Sequence, residues 1–300
     1  ASHSYPVAFA GRLLSGTGAI LFNVLATKMV ADWFAGQEIV TAMAILMTSW
    51  PLGIGLALVT LAPVATASSW ESAMLLTAIA SLVALVLVGV VYRAPSAAGD
   101  RRDSALAAFR FSRQELCLVP LAGIIWALFN VSFAIVPGFA PDFLISSGHA
   151  LVGAGALVSV VSWLLILSVP LGGALAERLG HPNLVLLICS LGVGLALFLL
   201  PYWPQPLPLL VALGLLYGPP PGILAALPVE ILRPENRAPG MGLFHTCYYI
   251  GMPLLTAVAG LSRDLTGNPA APLLYGGAMI LLTLPFLALF RAFQRRWARP

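Results

Sequence analysis

The feature that most constrains this chain is a series of nine apolar runs, each close to the roughly 20 residues that a helix needs to cross a bilayer core. The runs are approximately Pro6–Val30, Ile39–Leu61, Ser72–Val91, Leu116–Phe139, Ala150–Ala174, Asn183–Leu200, Leu207–Val229, Met241–Leu261 and Pro272–Phe293. Charged residues make up only 9% of the chain, too few to cover a soluble domain. The sequence therefore predicts an all-α polytopic membrane protein with nine transmembrane helices.

The basic residues predict how these spans are oriented. If the connections are assigned alternately to two sides of a membrane, 13 of the 15 basic residues fall on one side. They are Lys28, Arg93, Arg101, Arg102, Arg110, Arg113, Arg178, Arg233, Arg237, Arg291, Arg295, Arg296 and Arg299. Arg263 alone falls on the other side, and Arg12 lies within a span. Because cytoplasmic connections carry the excess of Lys and Arg, the first side is predicted to face the cytoplasm at a bacterial plasma membrane, together with the C-terminus.

The chain also contains a weak internal repeat with an offset of 202 residues. Residues 13–16, LLSG, align with residues 215–218, LLYG, and Pro51-Leu52 align with Pro253-Leu254. The first three spans thus correspond to the last three, as in transporters built from repeated bundles. An odd number of spans would place Ala1 outside with no signal to translocate it, so we expect three further spans upstream.

The longest connection, from Tyr92 to Glu115, is polar and basic and contains Pro and Gly, which is typical of a linker. The sequence therefore predicts three parts. Residues 1–92 are the three-helix remnant of an N-terminal bundle, residues 93–115 are a cytoplasmic linker, and residues 116–300 are a six-helix C-terminal bundle.

A short motif, GGALAERLGHP at residues 172–182, lies in the predicted cytoplasmic connection between the fifth and sixth spans. Its Gly173, Glu177, Arg178 and Gly180 fit the pattern G-x-x-x-D-R-x-G-R-R of the major facilitator superfamily, found between the second and third helices of each half. Glu177 stands in place of the Asp, and a His-Pro pair replaces the two basic residues. On this motif and the two-bundle organisation, the chain resembles that family over family helices four to twelve.

Other segments agree with the resemblance. Residues 11–19, GRLLSGTGA, are similar to the family's helix-four pattern, and residues 230–237, EILRPENR, resemble the segment after helix ten in sugar-porter relatives. Trp50-Pro51-Leu52-Gly53 departs from the G-P-x-x-G-G pattern of the family's antiporters because Trp50 replaces the first glycine. The resemblance implies a secondary transporter that works by alternating access, but it does not favour an antiporter.

The resemblance also implies a cytoplasmic gate. Glu177 would contact the start of a helix in the other half, around residues 36–39, when the cytoplasmic side is shut, because a carboxylate is stabilised at a helix N-terminus. Arg178, Glu230 and Arg237 would belong to the same gate. The alternative is that Arg178 is one more basic residue at the cytoplasmic surface.

Several polar and aromatic residues within the spans are candidates for a substrate cavity: Arg12, Asn23, Trp126, Asn130, Trp163, Tyr217 and Tyr249. Arg12 would bind an anionic group or a coupling carboxylate, or alternatively extend to the membrane surface or pair with an upstream helix. Trp126 and Asn130 share one helical face, so they either line a cavity or pack against another helix.

Prolines predict breaks in three helices. Pro219, Pro220 and Pro221 remove three backbone donors and free the carbonyls of residues 215–217, and further breaks are expected at Pro51 and Pro253. Irregular backbone at membrane depth is tolerated where it is covered by protein or lines a cavity. A kink that shapes the helix is the favoured interpretation of the triple proline.

The sequence thus predicts a secondary active transporter for a small solute. Arg12 favours an organic anion as the substrate, and the aromatic residues favour an apolar compound. The expected partners are the bilayer, the solute and a coupling proton; no nucleic acid, cofactor, metal or enzymatic activity is expected. The alternatives are a membrane-embedded enzyme, for which Ser15 and His245 are the nearest nucleophile and base, and a non-transporting subunit or sensor on the same fold.

Overall fold

A computed structural model describes residues 4–34, 39–92, 111–233 and 236–297. These residues form ten α-helices and one 3₁₀ turn at Leu200–Tyr202, and they contain no β-strand. The helices are α1 Tyr5–Phe34, α2 Ile39–Ala67, α3 Trp70–Val91, α4 Arg113–Ser146, α5 Leu151–Leu179, α6 Pro182–Leu199, α7 Pro206–Leu216, α8 Pro220–Ala226, α9 Arg237–Thr266 and α10 Ala271–Trp297. Every predicted span coincides with a helix, except that the seventh is divided between α7 and α8.

Within the described residues, 7 helical segments are long and apolar enough to cross a membrane. One of them combines α7 and α8, and the others lie in α2, α3, α4, α5, α6 and α10. The two remaining spans predicted from the sequence are α1 and α9, which at 30 residues each are long enough to cross. Arg12 in α1 and the run from His245 to Tyr249 in α9 make these two helices more polar. The protein is an all-α polytopic integral membrane protein.

The chain forms two compact units. Unit 1 comprises Ala1–Trp50 and Thr60–Ala107, and it contains α1, α3 and most of α2. Its described side chains are mostly exposed. Unit 2 comprises Pro51–Val59 and Ala108–Pro300, and it contains α4 to α10.

The hydrophobic core of unit 2 forms around α4, which packs along both α9 and α10. α4 approaches α9 closely at Gly123. A Cβ atom on this glycine would lie only 2.7 Å from the Cβ of Cys247 and 2.8 Å from the carbonyl oxygen of Phe244. The absence of a side chain at residue 123 therefore sets how closely the two helices pack.

The turn between α5 and α6 favours a glycine at residue 180, within the GGALAERLGHP motif. Gly180 has a φ of +64°, a left-handed conformation that favours glycine because a Cβ is strained there. α5 ends immediately before it at Leu179, and Pro182 begins α6. Gly180 thus reverses the chain within three residues.

Of the three helix breaks predicted at prolines, the structure shows one. The seventh span is interrupted, since α7 ends at Leu216 and α8 begins at Pro220. At Pro51 and Pro253, by contrast, the expectation of a break was wrong, because α2 and α9 continue through them. A single proline removes only one donor from a long helix that its neighbours hold in place, whereas three consecutive prolines remove three.

Candidate functional site

A group of polar and aromatic side chains lies on α4 and α9. It consists of Trp126, Asn130, His245, Tyr248 and Tyr249, which we call the aromatic face. The ring centroids of Trp126 and Tyr248 are 6.2 Å apart, those of Tyr248 and Tyr249 4.8 Å, and those of His245 and Tyr249 6.3 Å. His245 is exposed and the other four are half-buried, so the rings form one continuous surface that is partly open.

Two polar groups of the aromatic face are held by their own helices. The side-chain amide nitrogen of Asn130 donates to the carbonyl oxygen of Trp126 at 2.8 Å. His245 Nδ1 lies 2.9 Å from the carbonyl oxygen of Met241. Because a carbonyl oxygen can only accept, Nδ1 carries the proton, and in the neutral ring Nε2 is an acceptor.

Tyr217 lies behind the aromatic face and is fully buried. Its hydroxyl is 2.7 Å from the hydroxyl of Ser132, and its ring meets Phe129 and Phe133 edge to face. Phe129 in turn stacks on Trp126, with centroids 5.8 Å apart. In this conformation Tyr217 therefore supports the aromatic face from inside and has no surface of its own for a solute.

The break between α7 and α8 packs tightly against α5. The hydroxyl of Ser168 donates to the carbonyl oxygen of Gly214 at 2.7 Å. A Cβ on Gly218 would lie 2.3 Å from the Ser168 oxygen, and one on Gly172 would lie 2.6 Å from Cα of Pro219. The interrupted backbone is thus covered by α5, and Ser168 satisfies a carbonyl next to the break.

One end of unit 2 is held by a buried carboxylate, Glu115. Its oxygens accept hydrogen bonds from the backbone N–H of Ser112 at 2.7 Å, from the backbone N–H of Arg233 at 3.0 Å and from the amide of Asn236 at 3.0 Å. The guanidinium of Arg233 adds an ion pair at 3.3 Å. Ser112 in return caps the backbone N–H of Glu115, which completes a capping box at the start of α4. Glu115 therefore joins α4 to the segment that precedes α9.

The same end contains a second polar network around Glu230. Its carboxylate forms an ion pair with Arg291 and accepts a hydrogen bond from Gln294 at 3.2 Å, both near the end of α10. Arg291 also donates to Asn183, in the first turn of α6, at 3.2 Å. Among the described residues, Glu230 thus forms its ion pair with Arg291 of α10, within unit 2.

The opposite end of unit 2 has an ion pair between Asp142 of α4 and Arg263 of α9. Since Glu115 joins the first turn of α4 to the segment before α9, these two helices run parallel and are connected at both ends. The starts of α4, α6 and α9 and the end of α10 lie together at one end of the unit. This grouping agrees with the alternation of sides used to predict the orientation.

Four of the remaining predicted site residues lie on α1 and α5. Arg12 is exposed on α1 in unit 1. Trp163 on α5 is packed on Gly55, where a Cβ would lie 3.3 Å from the Trp163 ring. Gly173 is half-buried, and Arg178 is exposed at the end of α5. The described part of the structure does not include the side chains of Asn23, Glu177 and Arg237, nor residues 36–38. The cavity role of Asn23 therefore stays a prediction. The gate contact of Glu177 with residues 36–39 and the gate role of Arg237 stay predictions as well.

Sequence reasoning missed the residues that hold the site in place. Glu115 was assigned to the linker, although Ser112-x-x-Glu115 before an apolar run is the signature of a capping box. Ser132 and Ser168 gave no signal, because single serines within spans are common. Arg291 was counted only as a basic residue of the cytoplasmic side.

The comparison with protein families agrees with this architecture. The profile of the Major Facilitator Superfamily matches residues 1–256 and, in a second match, residues 121–299. The chain belongs to the Major Facilitator Superfamily. Members of this family are membrane transporters, which supports a transport function at the level of the family. No match was found among curated proteins.

Proposed function

We propose that this protein is a secondary active transporter that moves a small solute across a bacterial plasma membrane by alternating access, with its C-terminus in the cytoplasm. It uses no nucleotide and catalyses no chemical reaction. Family membership supports transport, and the 13-to-1 distribution of basic residues supports the orientation. A coupling proton stays a prediction, because the described parts of α4 and α9 contain no carboxylate at membrane depth.

The observation that carries the proposal is the way unit 2 is connected at both ends. Glu115 and Glu230 join its helices at one end, and the ion pair of Asp142 joins α4 to α9 at the other. All these contacts lie within the unit. Alternating access needs bundles that move largely as rigid bodies around a fixed site. Contacts of this kind allow unit 2 to rotate without rearranging its own helices.

The aromatic face is the proposed solute-binding surface of unit 2. Trp126 is 13 residues and Tyr248 11 residues from the starts of their parallel helices. At about 1.5 Å per residue, both rings lie roughly 16 to 20 Å along the helices, near the middle of the membrane. Solute sites of secondary transporters lie at this depth. The GGALAERLGHP motif, with Glu177 and Arg178, is proposed to act as the cytoplasmic gate.

Cysteine accessibility tests the proposal. Tyr249→Cys would be made in a variant whose Cys117, Cys189 and Cys247 are replaced, and the protein would be exposed to a membrane-impermeant thiol reagent from each side separately. We expect labelling from both sides. A matched control is Leu254→Cys on the same helix, because Leu254 is 64% exposed and lies in an apolar stripe with Ile250 and Val258. A lipid-facing cysteine at this position should react from neither side.

The two alternative functions give different results. A membrane enzyme needs access to its centre from one side only, and a sensor needs no aqueous access at membrane depth. Labelling of Tyr249→Cys from a single side, or equal labelling of Tyr249→Cys and Leu254→Cys, would contradict alternating access at the aromatic face. Saturable counterflow in proteoliposomes without nucleotide would then be needed to retain a transport function.

A further inference from the structure

We infer that the aromatic face binds an uncharged, planar aromatic compound that carries N–H or O–H donors. The inference rests on the proposed function, because it assigns a substrate class to the surface on which transport is proposed to act. Three independent features of α4 and α9 lead to it: the arrangement of the rings, the absence of charge, and the type of polar group present.

The arrangement of the rings favours a flat aromatic ligand. Trp126, Tyr248, Tyr249 and His245 are each in ring contact with at least one of the others, and Phe244 packs against Trp126 at 6.3 Å. Core aromatics are normally covered, but these four keep part of their surface open. Offset-stacked and edge-to-face contacts with another π-system are the favourable use of such a surface.

The absence of fixed charge from α4 and α9 disfavours strongly ionic ligands at this face. Residues 116–141 of α4 and 238–262 of α9 contain no Asp, Glu, Lys or Arg. An ion brought to membrane depth without a partner of opposite charge loses its hydration and gains no ion pair in return.

Two polar groups of the aromatic face are available as hydrogen-bond acceptors, in addition to the hydroxyls of Tyr248 and Tyr249, which can donate or accept. The amide nitrogen of Asn130 is used by the carbonyl of Trp126, and within the described residues no group donates to its side-chain oxygen. His245 Nδ1 is used by the carbonyl of Met241, which leaves Nε2 as an acceptor at an exposed ring. A ligand with an N–H or O–H group would satisfy one of these acceptors, whereas a ligand without donors would leave both unpaired at a cost in affinity.

Three compounds of nearly the same shape separate the effect of charge from that of the ring. Nicotinamide is neutral and has an amide donor, 1-methylnicotinamide is a permanent cation, and nicotinate is an anion. Binding of each to the purified protein in nanodiscs would be measured by calorimetry at neutral pH. We expect nicotinamide to bind more tightly than either ion by on the order of a hundredfold. Equal binding, or preference for an ion, would overturn the inference.

Substitutions then locate the binding surface. Tyr249→Leu removes a π-face and is expected to weaken nicotinamide binding about three- to tenfold, whereas Tyr249→Phe retains the ring and should bind nearly as well as the unchanged protein. Leu254→Ala, in the exposed apolar stripe, is the control for general effects on α9. The thermal unfolding of each variant without ligand shows whether it folds. An equal loss in Tyr249→Leu and Leu254→Ala would contradict the assignment.

The outcomes distinguish this inference from the proposed function. If Tyr249→Cys is labelled from both sides but none of a series of neutral aromatic amides and phenols binds at millimolar concentration, the substrate class is wrong and transport stands. If the neutral compounds bind but Tyr249→Cys is labelled from one side only, the aromatic face is a binding site and alternating access at it is wrong.

Discussion

Replacing Glu115 tests whether a single buried carboxylate holds α4 to the segment before α9. The Glu115 side chain is 1% exposed, whereas the side chain of its partner Arg233 is 51% exposed. Glu115→Ala removes the acceptor of the backbone N–H groups of Ser112 and Arg233 and of the Asn236 amide. Because it leaves these three donors without their buried acceptor, at roughly 1 to 2 kcal/mol each, the free energy of unfolding should fall by about 3 to 5 kcal/mol.

The reciprocal substitution should cost much less. Arg233→Ala removes a half-exposed guanidinium but keeps the backbone N–H, which still donates to Glu115 at 3.0 Å. An ion pair of this exposure contributes about 1 kcal/mol or less, since water screens it. Glu115→Gln should be intermediate, because one oxygen still accepts while the new NH2 group faces the donors of Arg233 and Asn236.

Reversible unfolding in mixed micelles, followed by circular dichroism, measures the three changes. Tryptophan fluorescence provides a second probe, and its agreement with circular dichroism would support a two-state transition. The expected order of destabilisation is Glu115→Ala, then Glu115→Gln, then Arg233→Ala. If Arg233→Ala destabilises the protein as much as Glu115→Ala, the ion pair matters more than the backbone and amide hydrogen bonds, and the reasoning from burial is wrong.

Three further predictions concern packing, buried polar groups and the turn of the motif. Gly123→Ala should lower the free energy of unfolding of unit 2 by about 1 to 3 kcal/mol, because its Cβ would lie 2.7 Å from another side chain. As a control on the same helix, Gly138 has no neighbouring atom within 4 Å of such a Cβ, so Gly138→Ala should change the free energy of unfolding by less than about 1 kcal/mol. Ser132→Ala and Tyr217→Phe should each lower the free energy of unfolding by about 1 to 3 kcal/mol, because each leaves the other hydroxyl unpaired. The double variant leaves no hydroxyl unpaired, so its loss should not exceed that of the larger single variant. A loss in denaturant titrations equal to the sum of the two would contradict this. Gly180→Ala should cost about 1 kcal/mol, because residue 180 has a φ of +64°, and an unchanged unfolding midpoint would show that the turn relaxes.

The positions of the helices could be predicted from the sequence because span length depends on local composition. Each apolar run became helical, and the triple proline at residues 219–221 separated two helices as its missing donors require. The errors came from single residues. Pro51 and Pro253 lie in uninterrupted helices, because the neighbouring turns outweigh the loss of one hydrogen bond.

The contacts that hold the candidate site could not be predicted in the same way. Glu115 and Arg233 are separated by 118 residues, and Ser132 and Tyr217 by 85. Periodicity places a residue on a helical face but does not identify the residue opposite it in another helix. Trp126 and Asn130 could be assigned to one face, yet the contact of Trp126 with Tyr248 on α9 followed only from the packing of the two helices. The capping box of Ser112 and Glu115 is a local contact, so it alone among these contacts had a signature in the sequence.

The ion pair between Asp142 and Arg263 has a consequence for the response to membrane voltage. An unpaired charge that moves across the full membrane field changes the energy of a conformational step by about 2.3 kcal/mol per 100 mV. Arg263 is the only basic residue on the predicted outer side, and Asp142 neutralises it. Rotation of unit 2 therefore displaces no net charge from this pair, and any voltage dependence of the transport cycle must arise from the solute, a coupling ion or another part of the chain.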